Sequence, residues 1–506
     1  MPPTSRRAIA APSNPPLARV MPRQERHNLT HEQPVREDKG FHPVVGIIAT
    51  ITGTVLAMAT VPFNPHKEGV LWLPGVLMCL GLGIAPLLAF LQNPRNILRT
   101  ENIIGMAAIY WLFMDLVTAV YDLPSVNRNA VRTSFISAGA FVTMFWIATM
   151  QKPWKLPKVF LTSCSFRPEI SVILPITMLS FVLAMLAYAI PCEFDLALMF
   201  KSVLGHRWAA PWARSDIGGW NAFVDHLNYF GYLLPTLAVM VMRRKGWLHP
   251  ATIVAMTFAV IFLIFLMHSG ARRIIGVCLG SALIYWVLDR ERVRIWQLIM
   301  SAAGIVAVLW VMQAMLVFRG VGVGEVGASN AAIIAWKTMQ GESAGAGTPK
   351  GLAVDDNFYR LAQVQSIVPE HHPWVYWKYV WYVMVRPIPR VFWEDKPMDG
   401  GFKLQDFDDQ GASLSISIVG EAWLSWGYPA VLFVGWVFGR LSRMNNPLFL
   451  ASSGSVGPMF YGYMTMMLFV GWRSLQEVLL FSYALLGWMF AAWLYAKIRG
   501  RRFDES

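Results

Sequence analysis

Apolar residues fall into runs of about 20 along most of this 506-residue chain, and short basic stretches separate them. A helix of that length crosses a bilayer core of roughly 30 Å. The pattern predicts twelve such helices, at 42–63, 70–92, 103–121, 131–150, 169–191, 219–241, 248–267, 271–288, 295–318, 413–440, 457–472 and 475–496. Residues 1–40 carry Pro, Arg, Glu and Gln without apolar periodicity, which reads as a disordered tail rather than a leader peptide. The largest interruption is the polar insert from Arg319 to Ala412. Its first part, rich in glycine, reads as loop. Its second part, Val354 to Val385, has the spacing of an amphipathic helix, and Trp374, Tyr376, Trp377, Tyr379, Trp381 and Tyr382 are dense enough to place it at a lipid interface. The expected architecture is therefore an all-α, polytopic membrane bundle, divided as 1–40, 41–318, 319–412, 413–496 and 497–506.

Composition agrees: 55% of positions are hydrophobic and 14% charged, against roughly 25% charged in a soluble chain. The net charge of +13 could signal nucleic acid, but its placement argues for orientation of the helices instead. With both termini cytoplasmic, 25 of the 43 basic residues fall on the inner side, nine in short outer loops and nine in the insert. That bias places the insert outside, which in a bacterium means beyond the inner membrane. The four cysteines (Cys79, Cys164, Cys192, Cys278) are scattered, so neither a metal site nor a disulfide framework is expected, and no cofactor is implied.

Charged residues inside apolar runs are expensive and need partners. Asp115 lies in the third run, and Asp225 and His226 in the sixth, where a buried packing role competes with a site role. The turn His268-Ser-Gly-Ala-Arg272-Arg273 puts two guanidiniums on the outer side, against the orientation bias. A diphosphate would favour them, since a guanidinium forks onto phosphate oxygens; snorkelling to headgroups is the competing reading. Arg386 and Arg390 flank Pro387 and Pro389, which stiffen the chain into an extended ribbon. Glu394, Asp395 and Lys396 follow, as self-neutralising surface charge or as site. Glu421 stands after Gly420 at the mouth of the tenth run, either as a proton acceptor or as a favourable helix-start charge. Arg473 sits in the last outer hairpin.

These residues resemble the Wzy-type polymerases of O-antigen and exopolysaccharide repeat units. The likeness is carried by Phe358-Tyr359-Arg360 through Ile367-Val368-Pro369, by Ile388-Pro389-Arg390 with Trp393 and Lys396-Pro397, and by Gly420-Glu421-Ala422-Trp423 before Trp426-Gly427. The Ser269–Arg272 turn and Arg473 also fit, although Ser474 stands where the family pattern suggests glycine. The resemblance implies a membrane glycosyltransferase, inverting and metal-independent, that moves a growing glycan from undecaprenyl diphosphate onto a newly exported lipid-linked repeat unit. Its partners would be that lipid-linked oligosaccharide, the bilayer, a chain-length regulator and a flippase. In this reading Arg272, Arg390, Arg319 and Arg473 hold the diphosphate, with Arg360, Arg386 and Lys396 beside them. Glu421, Asp225 or His226 takes the proton, and Trp374, Trp377 and Trp393 stack on sugars. The competing classes are an O-antigen ligase, a transporter or flippase of lipid-linked sugars, and a structural scaffold.

Overall fold

The computed structural model describes residues 40–498 apart from 68, 120–125, 214–223, 270–271, 291–294, most of 319–353, 387, 389, 391, 398, 408–414 and 452–453, with the side chains of 159, 298, 312–318 and 491–498 also set aside. The tail 1–39, Arg319 and the glycine-rich part of the insert therefore lie outside the described residues. Among those described, all regular structure is helical. The longer helices are α1 (Pro43–Thr60), α2 (Trp72–Gln92), α3 (Thr100–Val117), α4 (Arg128–Thr149), α5 (Ile170–Ala189), α6 (Leu196–Leu204), α7 (Leu234–Lys245) and α8 (Pro250–His268). They continue as α9 (Arg272–Leu288), α10 (Ile295–Phe318), α11 (Asn357–Ile367), α12 (Trp377–Val385), α13 (Ser417–Trp426), α14 (Tyr428–Met444), α15 (Gly457–Gly471) and α16 (Leu475–Ile498).

Among the described residues, six helices are long and apolar enough to cross a membrane: α1, α2, α3, α4, α8, and α5 with its last turn to Cys192. Their outward faces carry Val44, Ile48, Val55, Leu80, Leu87, Leu91, Ile253 and Val260, all exposed. A soluble monomer does not present contiguous apolar surface on this scale, so the chain is a helical membrane protein. Of the other expected runs, the ninth and twelfth are the apolar helices α10 and α16, the eighth and eleventh are the shorter α9 and α15, and the sixth and tenth are interrupted for local reasons. The sixth winds as a 3₁₀ turn over Leu227–Leu233, and α7 then stops at Arg243, Arg244 and Lys245 before Gly246, whose φ of +87° suits glycine. The tenth breaks at Gly427, with φ +63°, into α13 and α14.

Close helix contacts rest on small residues, as they must where lipid gives no hydrophobic push. Gly435 and Gly439, four apart on α14, lie against the backbone of Phe141 and Phe145 on α4. A Cβ at Gly435 would sit 2.5 Å from the Phe141 carbonyl oxygen. Gly439→Leu should therefore force the two helices apart at a cost of about 3 kcal/mol. The loss would be read as a lower thermal midpoint in detergent-solubilised protein, while Gly83→Leu, at a position with open space around it, should leave it unchanged.

Polar contacts gather the loops at two places. Trp436 and Arg440 both donate to Gln151 Oε1, at 2.9 and 3.1 Å, and Arg244 Nη2 to Gly454 O at 2.6 Å. Gly454 in turn donates to Asp289 Oδ1 at 2.7 Å. The loop after α4 is thus tied to α14, and the ends of α7 and α9 to the loop after α14. A second gathering holds the insert.

The segment 354–385 is not the single interfacial helix that its pattern predicts. It divides at Val368–Pro369 and at Pro373 into α11 and α12. Helix α11 is buried within the bundle: Leu361, Ala362 and Val364 are fully covered, and Phe358 packs on Phe113 and Phe135 at centroid distances of 5.8 and 4.9 Å. Gln365 bridges Ser134 and Ser137 of α4. Apolar spacing alone does not tell a protein interior from a lipid surface, because both reward the same side chains.

Candidate functional site

The site is built where the insert re-enters the bundle. Helix α3 widens into a π turn over Ile109–Phe113, which loosens the backbone ladder, and the carbonyl of Trp111 there accepts from Asn357 Nδ2 at 3.1 Å. One turn later Asp115, 7% exposed, accepts the backbone N–H groups of Val354 at 2.8 Å and Asp355 at 3.2 Å. Asp115 thus anchors the start of α11 and orients Asp355.

Asp355 opens a chain of charges. Arg473 Nε meets its Oδ2 at 2.6 Å, and Arg473 Nη1 reaches Glu477 Oε1 at 3.4 Å. Arg273 Nε closes on the same Glu477 oxygen at 2.6 Å. Arg272 turns the other way, donating to the Val354 carbonyl at 2.9 Å. Burial alone would lower the Arg473 pKa, but the charges of Asp355 and Glu477 raise it above the ordinary arginine value. Arg360, 1% exposed, is bound to Asp356 at 2.6 Å and Gln363 at 2.8 Å. It sits on a buried face of α11 and holds that helix rather than facing solvent.

Glu421 lies at the other side of the same hairpin. It is 4% exposed and accepts three hydrogen bonds: from the Tyr379 hydroxyl and the Ser474 hydroxyl, both 2.5 Å, and from the Leu475 N–H at 2.6 Å. Leu475 is the first residue of α16, so Glu421 satisfies a helix-start N–H that has no partner within the helix. The hairpin is stapled further by Ile418 N–H to Trp472 O at 3.0 Å and Ser415 Oγ to Arg473 O at 2.9 Å. Burial and the Glu421 carboxylate hold the Tyr379 phenol well above its ordinary pKa, so it stays protonated and donating.

Helix α12 extends this side with cations. Arg386 Nη1 donates to the Tyr382 hydroxyl at 3.0 Å; Lys396 Nζ donates to the carbonyls of Arg386 and Ile388 at 3.0 and 2.8 Å; Arg390 Nη2 reaches Lys396 O at 3.3 Å. Burial, then Arg390 and Arg386, pull the Lys396 ammonium below its usual range. Among the described residues no carboxylate pairs with Arg386 or Lys396. Tyr229 lies within the electrostatic reach of Glu477, Arg386 and Asp225, and the His226 ring stands edge-on to it at 5.2 Å. Arg386, Glu477 and the Asp225–His226 pair are thus all neighbours of Tyr229. Asp225 is exposed and His226 half-buried.

The tryptophans divide. Trp374 is packed edge-on to Trp423 at 5.6 Å and fills the space beside Gly427, which is a packing role. Trp393 stands edge-on to Trp381 at 6.3 Å, and Trp377 is 71% exposed. Glu394 and Asp395 are exposed. The sequence pattern singles out Arg273 but not Glu477 or Asp355, and it gives Tyr379 and Ser474 no part in the site. Glu477 carried a usable signal, an acid two residues inside an apolar run; the hydroxyls of Tyr379 and Ser474 carried none. Among the described residues, no three His, Cys, Asp or Glu side chains group as metal ligands would. No family model, curated protein or solved structure matches the chain.

Proposed function

We propose that this chain is a membrane polysaccharide polymerase, moving a glycan from undecaprenyl diphosphate onto a lipid-linked repeat unit at the outer face of a bacterial inner membrane. Twelve crossings, cytoplasmic termini and an external insert complete the reading. The observation that supports it most is the cation ribbon Arg386–Arg390–Lys396, without a described carboxylate on Arg386 or Lys396, set beside the Arg273–Glu477–Arg473 chain. Cations crowded together and half out of water favour a multiply charged anion, and a sugar diphosphate supplies one.

In this reaction the acceptor hydroxyl attacks the anomeric carbon, the bond from that carbon to the diphosphate oxygen breaks, and its electron pair leaves on the diphosphate. The hydroxyl proton passes to a base. Glu421 already accepts three hydrogen bonds, so its role is to hold Tyr379 and the start of α16 in place. The accessible Asp225–His226 pair takes the proton. Stabilising the departing charge is the largest contribution, supplied by Arg386, Arg390 and Lys396, with Arg272 placed at Val354; positioning by the clamped hairpin is second.

Arg390→Ala, Arg386→Ala and Arg272→Ala should each abolish long polymer in a complementation assay, with the protein still present in the membrane. Losing one charge-stabilising donor costs on the order of 10²-fold in rate. A deletion strain should accumulate glycan with a single repeat unit. Accumulated long lipid-linked polymer would indicate a ligase instead, and full-length polymer from all three variants would indicate a scaffold.

A further inference from the structure

We propose that α12 is seated in the bilayer interface by one face while its opposite face closes on the site, making the lipid surface the partner that keeps Tyr379 on Glu421. The exposed apolar residues of α12 are Trp377 (71%), Trp381 (53%) and Met384 (62%); Tyr376 (54%) precedes the helix, and Ile388 (39%) and Phe392 (71%) follow it. The spacing of four and three places Trp377, Trp381 and Met384 along one stripe of the helix. Val383 and Val385 are buried, and Tyr379 and Tyr382 look toward Glu421 and Arg386. Two indole rings with aliphatic neighbours, flanked by the exposed Lys378, have the chemistry that settles at the boundary between headgroups and acyl chains. Helix α12 packs against α16, an apolar helix whose Leu486 and Phe490 are exposed. A lipid-facing surface therefore continues onto α12.

The helix is tied so that its two faces move together. Val375 and Tyr376 donate backbone N–H groups to the carbonyls of Leu424 and Ser425, both at 3.0 Å, and Tyr376 has φ +49°, a strained value outside glycine. In the same first turn, Gly400 from the following loop lies directly on the Tyr379 ring. Rolling the stripe out of lipid would thus swing the Tyr379 hydroxyl away from Glu421.

The test uses the full chain in phosphatidylcholine nanodiscs, with the native cysteines replaced and an environment-sensitive dye attached at Trp381→Cys, Met384→Cys or Lys378→Cys. Doxyl-labelled lipid should quench positions 381 and 384 about twofold more than 378, and aqueous iodide should show the reverse order. Iodide reaching 381 as readily as 378 overturns the seating, and protection of 381 from both quenchers, as in contact with a second copy, overturns it too. For the coupling, Met384→Glu should lower the thermal midpoint of the nanodisc protein but add little in a Tyr379→Phe background; full additivity overturns it. Neither measurement depends on which reaction the site performs.

Discussion

Glu421→Ala should cost about 3 kcal/mol of stability and abolish polymer formation. The substitution removes one acceptor and strands three donors at once: the Tyr379 hydroxyl, the Ser474 hydroxyl and the Leu475 N–H. Each donor left buried without a partner costs roughly 1–3 kcal/mol, and partial relaxation of the hairpin recovers some of that. Glu421→Gln keeps one acceptor oxygen but turns an NH₂ toward donors, so it should fall between. Tyr379→Phe removes a single hydrogen bond and should cost about 1 kcal/mol. Because the three groups share one carboxylate, the Tyr379→Phe and Glu421→Ala effects should be less than additive. Thermal midpoints of detergent-solubilised protein give the comparison. A Glu421→Ala protein as stable as the parent but inactive would reassign the residue from holding the hairpin to taking the proton.

Arg473→Ala should be nearly as damaging, for a different reason. Its side chain is 18% exposed and joins Asp355, 23% exposed, to Glu477, 6% exposed. Removing one partner of a buried pair costs roughly 3–5 kcal/mol; the partial exposure of Asp355 reduces that to about 2. Arg273 still pairs with Glu477 at 2.6 Å, so Asp355 is the charge left stranded. Adding Asp355→Asn to Arg473→Ala should therefore restore much of the lost stability, whereas Glu477→Gln should not. Arg473→Lys retains the charge but not the fork that reaches two carboxylates, and it should recover less than half. Stability unchanged in Arg473→Ala would mean that the ion pairs are screened and idle.

Parts of the site were legible in the sequence because a charge near an apolar run is conspicuous wherever it sits. Arg272, Arg473 and Glu421 were found this way, and so was Asp115, although what Asp115 does, binding two backbone N–H groups of the insert, followed only from the fold. Arg360 was also conspicuous, yet it serves to hold α11. Glu477, an acid two residues inside an apolar run, falls under the same rule. The spacing of the aromatic run suits one interfacial helix; burial of α11 against α4 and α13 leaves only α12 with an apolar face outward.

The amino-acid order by itself determined the helical class and the apolar helices suited to a membrane, since hydropathy acts over one run at a time. Only the tertiary structure decided which groups meet. Glu421 finds Tyr379 42 residues away and Ser474 53 residues away, and Arg473 finds Asp355 across 118. No periodicity within a run encodes such pairings. They come from how separate helices pack, and buried polar groups then take whichever partners that packing brings within hydrogen-bond distance.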